Sequence, residues 1–251
     1  SRTGKPTSLA KHDRGLATII SKTGRDASGQ KLDDYMYSTF KRLRAWDART
    51  QYFSSRDRNF VLAFSQLDIL KDKLGLSDVV IERVAYMYRK AQERGLTRGR
   101  SISAILSAAI YVSCREIGIP RTLRDVAAAS NLKRKDIARS CRLIICELDL
   151  RVPMADPMKC IVKIANKANL SESITRLAMN MMTQIIQRGI SAGKNPMSLA
   201  ATVLYISSIK AGTNITQFDV ASAAGITEVT IRNRIQELKK YRDPKHIPEA
   251  Y

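Results

Sequence analysis

Residues 76–101 read LSDVVIERVAYMYRKAQERGLTRGRS, and residues 170–195 read LSESITRLAMNMMTQIIQRGISAGKN. The two stretches align without a gap at an offset of 94 residues. Gly95 falls on Gly189, Gly99 on Gly193, Tyr111 on Tyr205 and Gly118 on Gly212. Thr122-Leu-Arg-Asp-Val-Ala then falls on Thr216-Gln-Phe-Asp-Val-Ala. Between 76–144 and 170–238, 15 of 69 positions are identical, too many for a chance ungapped match, so the chain holds two copies of one domain.

Each copy parses into five helices. In the first, apolar residues at Phe60, Val61, Phe64, Leu67, Leu70 and Leu74 mark a helix over 57–74, with Asp57 and Asn59 as early polar caps. A second runs from Ser77, its expected N-cap, to about Arg94, with Gly95 as the stop. The Ala- and Ile-rich stretch from Ser101 to Ile117 is the most apolar and is expected at the domain centre. A short helix after Thr122 and a last one over Lys133–Leu148 complete the copy. The second copy repeats the scheme over 157–168, 171–188, 196–211, 217–224 and 228–240. Pro157 and Pro196 suit first-turn positions, and Thr216 and Thr227 suit N-caps. No stretch alternates with a period of two, so the fold is expected to be all-α. The divisions expected are an arm over 1–51 and repeats over 52–151 and 152–251, joined by the proline-bearing linker RVPMADP at 151–157. In the arm, the polar, turn-rich GRDASGQKL of 24–32 sits between apolar pieces at Leu16–Ile20 and Tyr35–Trp46. The second piece places Met36, Phe40 and Leu43 on one helix face, and the arm is expected to order only against a partner.

The charge narrows the function. The 251 residues carry 43 Lys and Arg against 23 Asp and Glu, a formal net charge of +20. The arm holds +6, the first repeat +8 and the second +6, so the folded parts are basic as well as the tail. A polyanion is the leading partner, with a ribosome-associated surface as the plain alternative. Cys114, Cys141, Cys146 and Cys160 form no Cys-x-x-Cys pair, and His12 and His246 lie near opposite ends, so free thiols and no metal site are expected. No apolar run approaches the ~18 residues of a membrane span. The opening SRTGKPTSLAKHD lacks the apolar core of a secretory signal. No Ser, Cys or His nucleophile signature and no paired carboxylates point to catalysis, so no enzymatic activity is expected.

The last two helices of each copy have helix-turn-helix spacing. In the second copy Val220, Ala221, Ala224 and Ile226 can pack inward, as can Ile231, Ile235 and Leu238 on the following helix. Val229, Thr230, Arg232, Asn233 and Gln236 are left for a partner. In a major groove Arg suits guanine, Asn or Gln suits adenine, and an apolar side chain suits the thymine methyl. Ordinary helix packing with a solvated basic face explains the same pattern. The first copy places Lys133, Arg134, Lys135, Arg139 and Arg142 on the equivalent helix, a composition suited to phosphates. The loops RGLTRGRS (94–101) and RGISAGKN (188–195) put Gly99-Arg100 and Gly193-Lys194 before the central helix. They suit phosphate binding at a helix N-terminus, or serve as plain turns. They lack the spacing of a P-loop.

Three pieces carry a specific resemblance: PTSLAKHDRGLATII with GRDASG, RGRSISAILSAAIYVSCREIGIPRTLRDVA, and GITEVTIRNRIQELKK. Together they resemble archaeal transcription initiation factor B, the relative of eukaryotic transcription factor IIB, over essentially the whole chain. The resemblance implies two tandem cyclin-like five-helix repeats with helix-turn-helix-like C-terminal halves, preceded by an extended arm. It implies a general initiation factor that binds the TATA-binding protein on promoter DNA, reads an upstream element and recruits RNA polymerase for start-site selection. By position, Val229 and Arg232 match base-reading residues, with Asn233 and Gln236 beside them. Gly99 and Arg100 match a loop meeting DNA downstream of TATA, and Lys133, Arg134, Lys135 and Arg139 match a basic region near DNA and the TATA-binding protein. Lys194 and Thr230 are expected on phosphates. Residues 4–20, with Ser8, His12, Asp13 and Arg14, match the reader inserted into the polymerase, and Tyr35–Trp46 matches the reader-to-core linker.

One departure stands out. The family's N-terminal zinc ribbon, with its Cys-x-x-Cys/His ligands, is not in this sequence; the expectation is truncation just before Ser1, with one zinc in that ribbon and no cofactor in the residues at hand. The resemblance also implies a cytoplasmic location in an archaeal cell, and a monomer when partners are absent. Two rivals stay open: a cyclin-like regulator of a protein kinase, and an independent sequence-specific regulator binding duplex DNA as a dimer.

Overall fold

The computed structural model describes residues 7–16, 23–25, 28–51, 54–213 and 215–240. Residues 4–6 and 17–20 of the segment matched to the reader lie outside them, as do Asp26, Ala27 and His246. Among the described residues there are eleven α-helices and one isolated antiparallel bridge, Arg25 to Lys31. The first helix, α1 (Asp34–Gln51), precedes the repeats. The first repeat is α2 (Ser55–Leu74), α3 (Asp78–Glu93), α4 (Ile102–Ile117), α5 (Leu123–Ser130) and α6 (Arg134–Glu147). The second is α7 (Pro157–Lys167), α8 (Glu172–Gln187), α9 (Pro196–Lys210), α10 (Gln217–Ala224) and α11 (Glu228–Lys240). The ten repeat helices match the expected spans to within two residues at each end. Two compact units result: described residues up to Ile117 with Arg121–Val152, and Gly118–Pro120 with the described residues from Pro153 onward.

In each unit one helix is the hub. Helix α4 packs against α2, α3, α5 and α6, while α9 packs against α7, α8, α10 and α11. Ten of the sixteen residues of α4 are buried, which leaves little of it to water, as its composition predicts. Ala104, Ala108 and Ala109 on α4, and Ala200 and Ala201 on α9, keep the hubs thin and let neighbouring helices approach closely. Phe60 and Phe64 stack with centroids 5.6 Å apart, and Tyr88 of α3 meets both edge-on. The Tyr88 hydroxyl donates to Asn59 Oδ1 at 2.6 Å, which satisfies a polar atom that burial would otherwise penalise.

The helix ends show why the duplication persists as structure. Thr122 and Asp125 form a capping box at α5, and Thr216 and Asp219 form its counterpart at α10. Asn131 (φ 53°) closes α5 in the left-handed conformation where Gly225 (φ 67°) closes α10. Pro157 and Pro196 open α7 and α9 behind Asp156 and Asn195, whose side chains accept from Met158 and Met197 N–H groups. One cap is displaced from the sequence reading, and two stand where expected with their own bonding. Ser54, one turn before the expected Asp57 and Asn59, caps α2 by accepting from the Asp57 N–H. Ser77 stands at the N-cap of α3 but makes no side-chain cap bond. The Thr227 hydroxyl meets that of Thr230 at 2.8 Å.

The arm differs more. Residues 7–16 fold onto α3 of the first repeat, where order only against a partner was expected. The chain's own α3 supplies the hydrogen-bonding groups that the sequence reading assigned to an outside partner. Helix α1 runs five residues beyond Trp46, and its apolar face is not covered: Tyr35 is 78 % exposed and Trp46 57 %. No helix among the described residues is long and apolar enough to cross a membrane.

Candidate nucleic-acid interface

The two-helix ends of the repeats present their outer faces by the same construction. On α11, Ile231 is fully buried, and Ile235 and Leu238 pack against the same core. That fixes the helix rotation. Val229, Arg232, Asn233 and Gln236, spaced three, four and seven residues apart, then share the opposite stripe and are all exposed. Val229 is an apolar side chain 58 % open to solvent on this otherwise polar stripe. Thr230 is half-buried and engaged with Thr227, so it stands off the stripe.

Arg232 is held ready. Its NH2 donates to Glu228 Oε2 at 3.0 Å, and its Nε donates to Gln217 Oε1 at 3.0 Å. Gln217 in turn donates Nε2 to the Tyr205 hydroxyl at 3.3 Å. A guanidinium forked between α10 and its own helix loses fewer rotamers on binding than a free one. The i, i+4 Glu228–Arg232 pair was legible in the sequence; Gln217 was not, because it comes from the preceding helix.

Helix α6 carries the corresponding stripe of the first repeat. At the 94-residue offset, Lys135, Ala138, Arg139 and Arg142 stand where Val229, Arg232, Asn233 and Gln236 stand on α11. Lys133, Arg134, Lys135, Arg139 and Arg142 line this helix, and all five are exposed. Among the described residues none of the five has an ion-pair partner. Three of these cations crowd the positive end of the α6 dipole, with Asp136 as the sole first-turn acid. That arrangement costs helix stability.

The duplicated fold matches a known family. The profile described as "Transcription factor TFIIB repeat" matches residues 56–146 and 150–241. The chain belongs to that family. It is 41 % identical over 248 residues to the transcription initiation factor IIB of Ignicoccus hospitalis, covering 99 % of this chain and 78 % of the relative. The factor of the same name from Saccharolobus shibatae is 41 % identical over 238 residues (95 % and 78 % covered), and that from Methanococcus maripaludis is 38 % identical over 243 (97 % and 72 %). These relatives come from archaea. As a TFIIB-family chain of two tandem repeats, the protein is a general transcription initiation factor.

Within this TFIIB-family chain the remaining expected contacts divide. Gly99 is left-handed (φ 70°) with open space around its missing Cβ, so the backbone angle alone selects glycine there. Arg100 is exposed and donates Nη1 to the Leu96 carbonyl at 2.9 Å, which braces the loop. Lys194, its counterpart in the second repeat, is turned inward. Its side chain is 13 % exposed and its Nζ lies 3.9 Å from Glu237 Oε2 on α11, so in this structure it faces the protein and not a phosphate. The N-terminal amides of α9 are likewise occupied: Asn195 Oδ1 accepts from Met197 at 2.9 Å and Ser198 at 3.4 Å, which corrects their reading as a phosphate cradle. Of the arm residues, Arg14 is exposed, whereas Ser8, His12 and Asp13 are half-buried against the first repeat. The sequence reading missed Glu82 and Arg89, the α3 residues that hold the arm; their positions in an amphipathic helix gave no signal.

Cys114, Cys141 and Cys160 are free and buried, and Cys146 is free and exposed. Burial pushes the Cys114 thiol up to about 11 and Cys141 up to about 12, so both stay protonated as small apolar core residues.

Proposed function

We propose that this initiation factor binds promoter DNA already carrying the TATA-binding protein, reads an element upstream of TATA with α11, and brings RNA polymerase to the start site. The observation that carries the reading is the divergence of one stripe between two copies of one fold. On α11 it offers an apolar side chain, a braced guanidinium, an amide of Asn and an amide of Gln, a set that suits base edges. On α6 it offers cations, which suit phosphates and carry no sequence code. One repeat then supplies discrimination and the other salt-dependent affinity. Arg100, braced by Leu96, adds a phosphate contact from the first repeat. The arm, with Ser8, His12, Asp13 and Arg14, faces the polymerase, and the exposed apolar residues of α1 serve the same partner.

A gel-shift titration on a TATA promoter, with and without TATA-binding protein, tests this. A tight ternary complex that weakens when the upstream element is scrambled supports it. Equal binding without TATA-binding protein favours an independent DNA regulator. Absence of DNA binding in both arms of the experiment favours the kinase-regulator reading.

A further inference from the structure

The second repeat holds a cavity of about 520 Å³ that DNA reading does not use. Small-molecule sites span roughly 300–1,000 Å³, so the volume suits a ligand. Helices α8, α9 and α11 wall it with Met181, Ile185, Tyr205, Ile209, Ile235 and Leu238, and α10 adds Gln217. Ile209 is 55 % exposed, and Met181, Tyr205, Ile235 and Leu238 are only half-buried, so this apolar lining meets water. An apolar occupant would release that water.

The rim is cationic. Arg188, Lys210 and Lys239 also line the cavity and are exposed, and no Asp or Glu is among its described lining residues. Each cation stands at or beside the C-terminal end of its helix. A helix end carries only about half a negative charge there, so the full positive charges prevail. An apolar chain ending in an oxyanion complements both the wall and the rim.

The first repeat closes the same seam. At the 94-residue offset Ile235 and Leu238 become Cys141 and Ile144, both buried, with Cys141 Sγ 3.8 Å from the Ala108 carbonyl of α4. Ile209 becomes Arg115, whose guanidinium lies 6.0 Å from the centroid of the Tyr111 ring, the counterpart of Tyr205. Lys210 becomes Glu116, held by Arg83 at 2.7 Å, and Gln217 becomes Leu123. The opening in the second repeat therefore comes from its side chains and not from the helix framework.

Gln217 ties the cavity to the DNA face. Its Nε2 donates to the Tyr205 hydroxyl at 3.3 Å, and its Oε1 accepts from Arg232 Nε at 3.0 Å. One amide thus serves a cavity-lining residue and the braced guanidinium together.

We propose that this cavity is a regulatory site for a single-chain amphiphile ending in an oxyanion, and that filling it draws Gln217 away from Arg232 and loosens element reading. The second half rests on the reading of Arg232 as a base-reading residue. A ligand head that engages the Tyr205 hydroxyl or the Gln217 amide competes with the bonds that brace Arg232. By linkage, DNA carrying the preferred element weakens the ligand by the same factor.

Calorimetry on the full chain tests the site, with decanoate and decyl phosphate as probes below micelle-forming concentrations, beside decanol and decylammonium. One saturable site per chain is expected, with an anion about fivefold or more tighter than the neutral or cationic chain. The tighter anion names the head group. Lys210→Glu, which installs the first repeat's residue, and Ile209→Gln should each weaken that anion about fivefold. No saturable binding, equal binding of the neutral or cationic chain, or unchanged binding in either variant overturns the site. A dimer in light scattering that the ligand disperses gives the cavity to a second copy and also overturns it. Ternary-complex titrations read the link. Saturating ligand should lower the preference for the upstream element over a scrambled one by about fivefold, and Gln217→Leu should remove the ligand's effect. Unchanged preference, or an effect kept in Gln217→Leu, overturns the link. If Arg232→Ala without ligand costs the same on both DNAs, base reading itself fails, whatever the calorimetry shows.

Discussion

Arg232 NH2 lies 3.0 Å from Glu228 Oε2, so the guanidinium assigned to base reading is already paired on its own helix before DNA arrives. DNA must offer it a better acceptor than an exposed carboxylate. Guanine does so with two acceptors in one plane. The pair therefore orients the side chain at small cost, since an exposed ion pair of this kind contributes only about 0.3–0.5 kcal/mol.

Removing Arg232 should cost about 1–3 kcal/mol on the preferred upstream element and far less on a scrambled one. Ternary-complex titrations on both DNAs measure the difference. An equal loss on both would remove Arg232 from base reading. Glu228→Gln should tighten binding to every sequence by up to about 0.5 kcal/mol, because it removes a negative charge from the face while the Gln carbonyl still accepts from the guanidinium.

Replacing Lys133, Arg134 and Lys135 together by Gln should move binding and stability in opposite directions. Affinity falls for all sequences, and the salt dependence drops by roughly one unit of slope for each phosphate left without its cation. Helix α6 gains up to about 0.3–1 kcal/mol per cation removed from its positive end. A salt titration and a thermal melt on one protein preparation read both. An unchanged slope takes these residues out of the phosphate interface.

Lys194→Ala should leave the salt slope where it is. Its Nζ faces Glu237, so the loss falls on the packing of α9 against α11, on the order of 1 kcal/mol. Arg100→Ala, at the matching place in the first repeat, should lower the slope. If Lys194→Ala lowers it equally, the lysine swings outward on DNA.

Alkali should destabilise the fold in a defined window. Burial pushes Tyr88 from 10.0 up to about 12, and Cys114 and Cys141 from 9.0 up to about 11 and about 12. The unfolded chain therefore loses these protons first. Their stabilising contribution is whole below pH 9 and is lost as pH rises toward about 12. Urea unfolding at pH 8 and at roughly 10.5 should show the fall, and Cys141→Ala should make it shallower. No fall between the two values would mean that the thiols and the Tyr88 hydroxyl reach solvent in the folded state.

The helices were legible because the signals that make them are local. Gly95 and Gly189, the Thr122 and Thr216 caps and the prolines at 157 and 196 punctuate the chain, the glycines and caps at one spacing in both copies. The outer stripe of α11 was legible too, since burial of Ile231, Ile235 and Leu238 fixes what is left over. What stayed hidden depends on contacts between distant segments. Lys194 and Arg100 look equivalent in sequence, and only Glu237 on another helix separates them. Glu82 lies 73 residues from Leu9, and nothing along α3 announces that its partner is the arm.

The stripe that differs between α6 and α11 is carried on framing that does not differ: the same capping box, the same left-handed stop, the same buried isoleucine at 137 and 231. Surface identity and foldability are thus written in separate letters. The outward residues at 135, 138, 139 and 142, or at 229, 232, 233 and 236, form an interchangeable cassette that can be swapped between copies without touching a single fully buried side chain. Under the proposed base-reading role of α11, retargeting comes down to four positions, and the other repeat already shows one alternative text that the scaffold accepts.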